Sequence, residues 1–217
     1  MEWGKVDLRQ AKSTDSPLES RLDRRYTAHV TGRPAVFLDR DGVLIEEIGH
    51  LHQREDVHLM PGAVSAVRAL SELGFFLVVV TNQSAVANGL CSEAELAAIH
   101  DEIARQLAAG GAQVGDWLYC PHHPQAAIAQ YRVDCSCRKP KSGMLLSAQQ
   151  RYGIDLASSV LVGDKMSDIE AAHRAGCRAV LVATGHGPEE INAPTQYAPP
   201  DYIARDLSDA VEWIKAR

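Results

Sequence analysis

"AVFLDRDG", residues 35–42, decides how the rest of the chain is read. Its short run of branched and aromatic side chains, with no polar alternation, suits a strand covered on both faces. The run ends on two carboxylates, Asp39 and Asp41, ahead of a glycine. Similar runs follow at "FFLVVVTN" (75–82), "DWLYC" (116–120), "SVLVGD" (159–164) and "RAVLVAT" (178–184). Between them lie segments with helix punctuation. "PGAVSAVRALSELG" opens with Pro and closes with Gly, and "SEAELAAIHDEIARQLAAGG" has a Ser at the cap position and glycines at its end. "SGMLLSAQQRYG", "SDIEAAHRAG" and "DLSDAVEWIKAR" repeat the scheme. Strand alternating with helix predicts an α/β fold, a three-layer, doubly wound and mostly parallel sheet. Residues 1–33 are polar and poorly patterned and are expected to form an N-terminal extension. Residues 34–217 are expected to form a single domain with one core.

Composition narrows the partners. The chain has 217 residues, a net charge of −6 and no basic stripe interleaved with aromatics, so no nucleic-acid partner is expected. Its longest apolar run, "FFLVVV", is too short to cross a bilayer, so no membrane association is expected either. The N-terminus lacks the apolar segment of a secretory signal, and a cytoplasmic location is expected. In that compartment the five cysteines, at 91, 120, 135, 137 and 177, read as metal ligands or small core residues rather than disulfides. No feature of the sequence sets an oligomeric state.

Ligands of open α/β sheets bind outside the carboxyl ends of the strands. Here those ends carry "FLDRDG", "VVTNQS" and "LVGDKMSD", which brings Asp39, Asp41, Thr81 and Asp164 toward one region. Asp is common in turns and helix caps, but three carboxylates gathered at strand ends repel one another unless a hard cation joins them. Mg²⁺ fits, because it shares its coordination shell with substrate phosphate. Such a set suits phosphoryl transfer. One carboxylate attacks phosphorus, a second moves the proton, and a hydroxyl and an ammonium stabilise the phosphoryl oxygens.

A second cluster occupies "CPHHPQAAIAQYRVDCSCRKP", residues 120–140. The spacing is C-x-H, twelve residues, then C-x-C, the chemistry of a closed Cys₃His zinc site built from Cys120, Cys135, Cys137 and either His122 or His123. Zinc closing this loop fixes Cys137, and with it the backbone that carries Arg138 and Lys139.

The motifs "DRDG", "TNQS", "RKPKSGM" and "GDKMSD", in that order, resemble the four motifs of the haloacid dehalogenase-like (HAD) phosphatase superfamily across residues 34–184. The resemblance implies that Asp39 is the nucleophile and Asp41 the general acid/base, with Thr81 and Lys139 holding the phosphoryl group. Asp39, the Asp41 carbonyl and Asp164 would ligate Mg²⁺, with Lys165 and Asp168 nearby. Asp168 reads equally well as a first-turn helix residue favoured by the macrodipole.

Within that superfamily the zinc loop running into "CRKPK" is similar to the family of D-glycero-D-manno-heptose 1,7-bisphosphate 7-phosphatases, with histidinol-phosphate phosphatase domains as near relatives. This resemblance implies Mg²⁺-dependent hydrolysis of a small phosphorylated metabolite through an aspartyl-phosphate, the alternative substrate being histidinol phosphate or another sugar phosphate. It assigns Cys120, His122, Cys135 and Cys137 to zinc. It assigns Glu47, His50, Asn82, Gln83, Ser84, Arg138 and Lys165 to substrate contacts. An Arg beside the reacting centre suits a second phosphate or another anionic group. The chain departs from the heptose pattern at Ala85 and Asn88, where Gly and Arg are usual. About 40 residues separate Asp41 from Thr81, which leaves no room for a large cap. The site is expected to be open, rimmed by "EEIGHLHQ" (46–53), with His50 and His52 either contacting substrate or solvated.

Overall fold

The computed structural model describes residues 32–217, so the expected N-terminal extension lies, up to residue 31, outside the described residues. Five strands stand where the apolar runs place them: β1 (Ala35–Leu38), β2 (Phe76–Asn82), β3 (Asp116–Cys120), β4 (Val160–Gly163) and β5 (Arg178–Val182). A sixth, β6 (Tyr202–Ala204), was not expected; three residues after a Pro-rich passage are too short to show a period. The sheet is parallel throughout, in the order β3-β2-β1-β4-β5-β6.

Alternation along each strand divides the core into two layers. Val36 and Leu38 of β1 face one layer with Val79, Val162 and Val180, covered by α1 (Ala63–Glu72), α3 (Glu93–Ala109) and α7 (Leu207–Lys215). Ala35 and Phe37 face the other with Val78, Val80 and Leu161, covered by α4 (Gly143–Tyr152) and α5 (Met166–Ala175). Two one-turn helices escaped the sequence reading, α2 (Ser84–Ala87) and α6 (Gly187–Glu190). The predicted cap at Ser92 is present as a full capping box with Glu95.

The strand order reverses between β1 and β4, the switch point at which doubly wound sheets bind their ligands. Asp39 continues the ladder past the end of β1, its N–H donating to Val162 O at 2.9 Å. Asp164 follows directly on β4. No large insertion separates Asp41 from Thr81. That interval holds the rim, a 3₁₀ turn (Arg54–Asp56) and α1.

Candidate active site

At the switch point, Lys139 brings a buried ammonium to the end of β1. Its Nζ lies 2.9 Å from Asp39 Oδ1 and 2.6 Å from Asp168 Oδ1, and donates to Val80 O at 2.7 Å. Burial works against the charge on Lys139, but Asp168 and Asp39 outweigh it and hold the pKa above that of an ordinary lysine. Asp39 Oδ1 also accepts from the Arg40 backbone N–H at 2.7 Å. Asp168 takes the first-turn position expected of it and also meets Lys139. Oδ2 accepts from the Lys165 N–H at the start of α5, and Oδ1 pairs with Lys139.

The Asp164 carboxylate is only half engaged. Asp164 is fully buried; Oδ2 accepts from the His186 N–H at 2.8 Å, and Oδ1 has no hydrogen-bond partner among the described residues. Burial pushes the Asp164 carboxyl up to about 8, and the charges of Asp39 and Asp168 add to the shift. Burial likewise raises Asp39 to about 6 against the pull of Lys139. Carboxylate oxygens of Asp39, Asp164 and Asp168 lie within 4.8 Å of one another. Hard oxygen donors, an unpartnered buried oxygen and mutually raised pKa values fit a divalent cation.

The neighbouring carboxylate, Asp41, is gripped along one edge by its own chain neighbour. Arg40 Nε lies 3.1 Å from both Asp41 oxygens and Nη2 lies 2.7 Å from Oδ1. Gln83 Nε2 donates to Asp41 Oδ2 at 3.0 Å and to Thr81 Oγ1 at 2.8 Å. Because Thr81 accepts from Gln83, its hydroxyl proton remains available to a ligand.

The cysteine loop closes on itself. Sγ of Cys120 lies 3.5 Å from Cys135 and 3.1 Å from Cys137, and Cys135 and Cys137 are 3.1 Å apart. His122 Nδ1 completes the group, 3.7 Å from Cys120 Sγ and 3.4 Å from Cys137 Sγ. A tetrahedron with metal–ligand bonds of about 2.0–2.3 Å requires ligand separations of about 3.3–3.8 Å, and these donors stand close to that spacing. The alternative, His123, is absent from the group; its Nδ1 accepts from the Gln125 N–H. Hydrogen bonding from Cys137 pulls the Cys120 thiol down to about 6. The middle of the loop is tied independently, because Glu93 accepts from Tyr119 OH at 2.6 Å and from Tyr131 OH at 2.8 Å. Cys91 and Cys177 are buried among apolar side chains, as expected of core cysteines.

Two adjoining clefts share Asp41, Asn82, Ser84 and Lys165. One, of about 330 Å³, also holds Asp39, Thr81, Lys139 and Arg138. The other, of about 200 Å³, is walled by Glu47, His50, Gln83 and His186. Arg138 leans on the cysteine loop, donating to His122 O at 2.9 Å. Glu47 faces Lys165 at 3.5 Å and His186 at 3.4 Å. Two expected contact residues have other engagements. Both side-chain atoms of Asn82 bond the Lys139 backbone, and the Gln83 amide is held by Asp41 and Thr81. His52 is exposed, with Nδ1 2.7 Å from His50 O. Sequence reading missed Arg40, His100 and His186. Arg40 alone had a signal, its place inside "DRDG".

A HAD-hydrolase-like family model matches residues 136–210. The chain is 45% identical over 187 residues to the D-glycero-D-manno-heptose-1,7-bisphosphate 7-phosphatase of Thermosynechococcus vestitus, covering 84% of this chain and 95% of that protein. It is 40% identical over 185 residues to the D-glycero-beta-D-manno-heptose-1,7-bisphosphate 7-phosphatase of Escherichia coli K12, covering 84% and 94%. Among solved structures, the D,D-heptose 1,7-bisphosphate phosphatase of B. bronchiseptica, complexed with magnesium and phosphate, superposes with a TM-score of 0.76 at 34% identity, covering 84% of this chain and 98% of that one. The chain therefore belongs to the HAD-like phosphatases, in the family of the D-glycero-D-manno-heptose-1,7-bisphosphate 7-phosphatases.

Proposed function

We propose that this phosphatase removes the 7-phosphate of D-glycero-D-manno-heptose 1,7-bisphosphate, with Asp39 as nucleophile. The observation that carries the reading is the constellation at the switch point: Asp39 held by the Lys139 ammonium, with Asp164 beside it offering an unpartnered buried oxygen. An Asp39 oxygen attacks phosphorus, the bond from phosphorus to the sugar oxygen breaks, and Asp41 gives that oxygen its proton. Asp41 then takes a proton from water as the water attacks the aspartyl-phosphate, which releases inorganic phosphate and regenerates Asp39. Thr81 donates to a phosphoryl oxygen, and Lys139 neutralises the developing charge. A divalent cation, Mg²⁺ by its oxygen donors, would be held by Asp39, the Asp41 carbonyl and Asp164 and would supply further charge neutralisation at the phosphoryl group.

The sugar lies in the smaller cleft, against Glu47, His50 and Ser84, with Lys165 at its border. Arg138 takes the second anionic group. Zinc on Cys120, His122, Cys135 and Cys137 is structural: four protein donors leave no position for substrate. Its role is to hold the stem of Arg138 and Lys139.

The test is phosphate release with Mg²⁺ from the heptose bisphosphate and from histidinol phosphate, with Asp39→Asn as the blank. Turnover of the bisphosphate with a silent variant supports the reading. Turnover of histidinol phosphate alone would move the substrate to the amino-alcohol phosphate. An active Asp39→Asn would remove the nucleophile assignment.

A further inference from the structure

Two buried polar side chains, Arg40 at the wall of the smaller cleft and His100 behind it, take no step in the chemistry set out above. Arg40 is 1% exposed and heads the large fully buried side chains; His100, on α3, is equally buried. A buried guanidinium is costly unless its donors are paired. Nε and Nη2 of Arg40 are taken by Asp41, and Nη1 lies 3.4 Å from His100 Nε2. A guanidinium only donates, so Nε2 must be the acceptor and the ring proton must sit on Nδ1. Burial, together with the Arg40 charge, holds the His100 pKa well below that of ordinary histidine, which keeps the ring neutral.

The ring is braced from behind. It stacks on Trp117 of β3 at 4.9 Å and meets the edge of Tyr119 at 5.8 Å. Its Nδ1 has no hydrogen-bond partner among the described residues. An aromatic hydrocarbon ring would fill this space without leaving a buried donor unsatisfied, so packing alone does not account for a histidine.

We propose that His100 and Arg40 are positioning residues for Asp41: the histidine seats the guanidinium, and the guanidinium fixes the plane of the carboxylate on the side of the cleft where the leaving oxygen departs. A carboxylate turns freely about its last side-chain bond, and proton transfer tolerates little misplacement. The edge-on grip of Nε and Nη2, closed on the far side by Gln83, removes that freedom. The inference rests on the reading of Asp41 as general acid.

A leaving group's need for a proton supplies the test. p-Nitrophenolate departs without one, whereas the primary alkoxide of a sugar 7-phosphate requires it. In the Mg²⁺-loaded enzyme, His100→Phe keeps a ring against Trp117 and removes the acceptor, and His100→Gln keeps an acceptor near Nε2. The readouts are the pre-steady-state burst of p-nitrophenolate and single-turnover cleavage of the heptose bisphosphate. His100→Phe is expected to slow sugar cleavage about ten- to a hundredfold, as a displaced catalytic group does, and to leave the burst near wild type. His100→Gln is expected to recover most of the loss. Arg40→Lys, which keeps the charge and loses the fork, is expected to show the same selectivity and carries the test if His100→Phe does not fold. Equal losses on both substrates, or none on either, overturn the proposal. Asp41→Asn is run beside them. If it too loses both activities equally, the general-acid reading falls, and the positioning proposal falls with it. If only Asp41→Asn is selective, the positioning proposal alone fails.

Discussion

Asn82 and Lys139 clasp each other through two hydrogen bonds. Nδ2 of Asn82 donates to Lys139 O, and the Lys139 N–H donates to Asn82 Oδ1, both at 3.0 Å across 57 positions of sequence. The side chain at the end of β2 thus gives the loop the paired donor and acceptor that a neighbouring strand would have given. Lys139 is held at three levels: by this clasp, by the adjacent cysteine cluster at Cys137, and at Nζ by Asp39 and Asp168.

Asn82→Ala removes both bonds of the clasp at once. Each is worth about 1 kcal/mol net, so kcat/KM for phosphate release is expected to fall about tenfold with a modest drop in melting temperature. An unchanged kcat/KM would show that the other two levels seat Lys139 without it.

Metal analysis should find one zinc per chain on the cysteine cluster. Stripping it with a chelator is expected to lower the melting temperature and to reduce turnover by about tenfold or more, because the loop behind Lys139 loses its closure. Zinc, and not Mg²⁺, should restore both. Full activity in the zinc-free protein would detach the loop from catalysis.

Gly42 lies at φ +75°, and a Cβ there would stand 2.4 Å from Asp164 Oδ2 and 3.0 Å from Gly185 Cα. Gly42→Ala therefore displaces Asp164 and strains the backbone by about 1–3 kcal/mol. The Mg²⁺ concentration needed for half-maximal activity should rise, with zinc content unchanged. An unaltered Mg²⁺ requirement would take Asp164 out of the cation site.

Stability should depend on pH through the same carboxylates. Asp39 and Asp164 rise from 3.8 to about 6 and about 8, so the folded protein binds these protons more tightly than the unfolded chain. Their contribution is complete below the unfolded value and is lost as pH climbs through the folded ones. Protein free of divalent cations should melt at falling temperature from about pH 4 to about pH 8, and the stabilisation gained on adding Mg²⁺ should grow over that interval. A gain independent of pH would mean that the cation binds elsewhere.

Much of the fold was legible because a parallel strand covered on both faces admits almost no polar residue, so each long strand stands out as an apolar run, and β1, β2 and β4 carry a carboxylate or threonine at the carboxyl end. That property alone located Asp39, Thr81 and Asp164. The spacing of the cysteine loop was legible for a similar reason: three cysteines and two adjacent histidines within eighteen residues leave few other readings. β6 and the one-turn helices α2 and α6 are shorter than any period they could display.

Local pattern and spacing set the order of the elements and the carboxylates at the strand ends, and gathered three cysteines and a choice of two histidines into one loop. Tertiary structure decided the partners. It took His122 over His123, set Asp168 against Lys139 as well as the start of α5, turned Asn82 and Gln83 toward neighbouring protein groups, and set His100 behind Arg40. Most of these contacts link residues tens of positions apart, brought together by crossovers between strands; hydrophobic periodicity reports which face a residue occupies, not which distant group waits there.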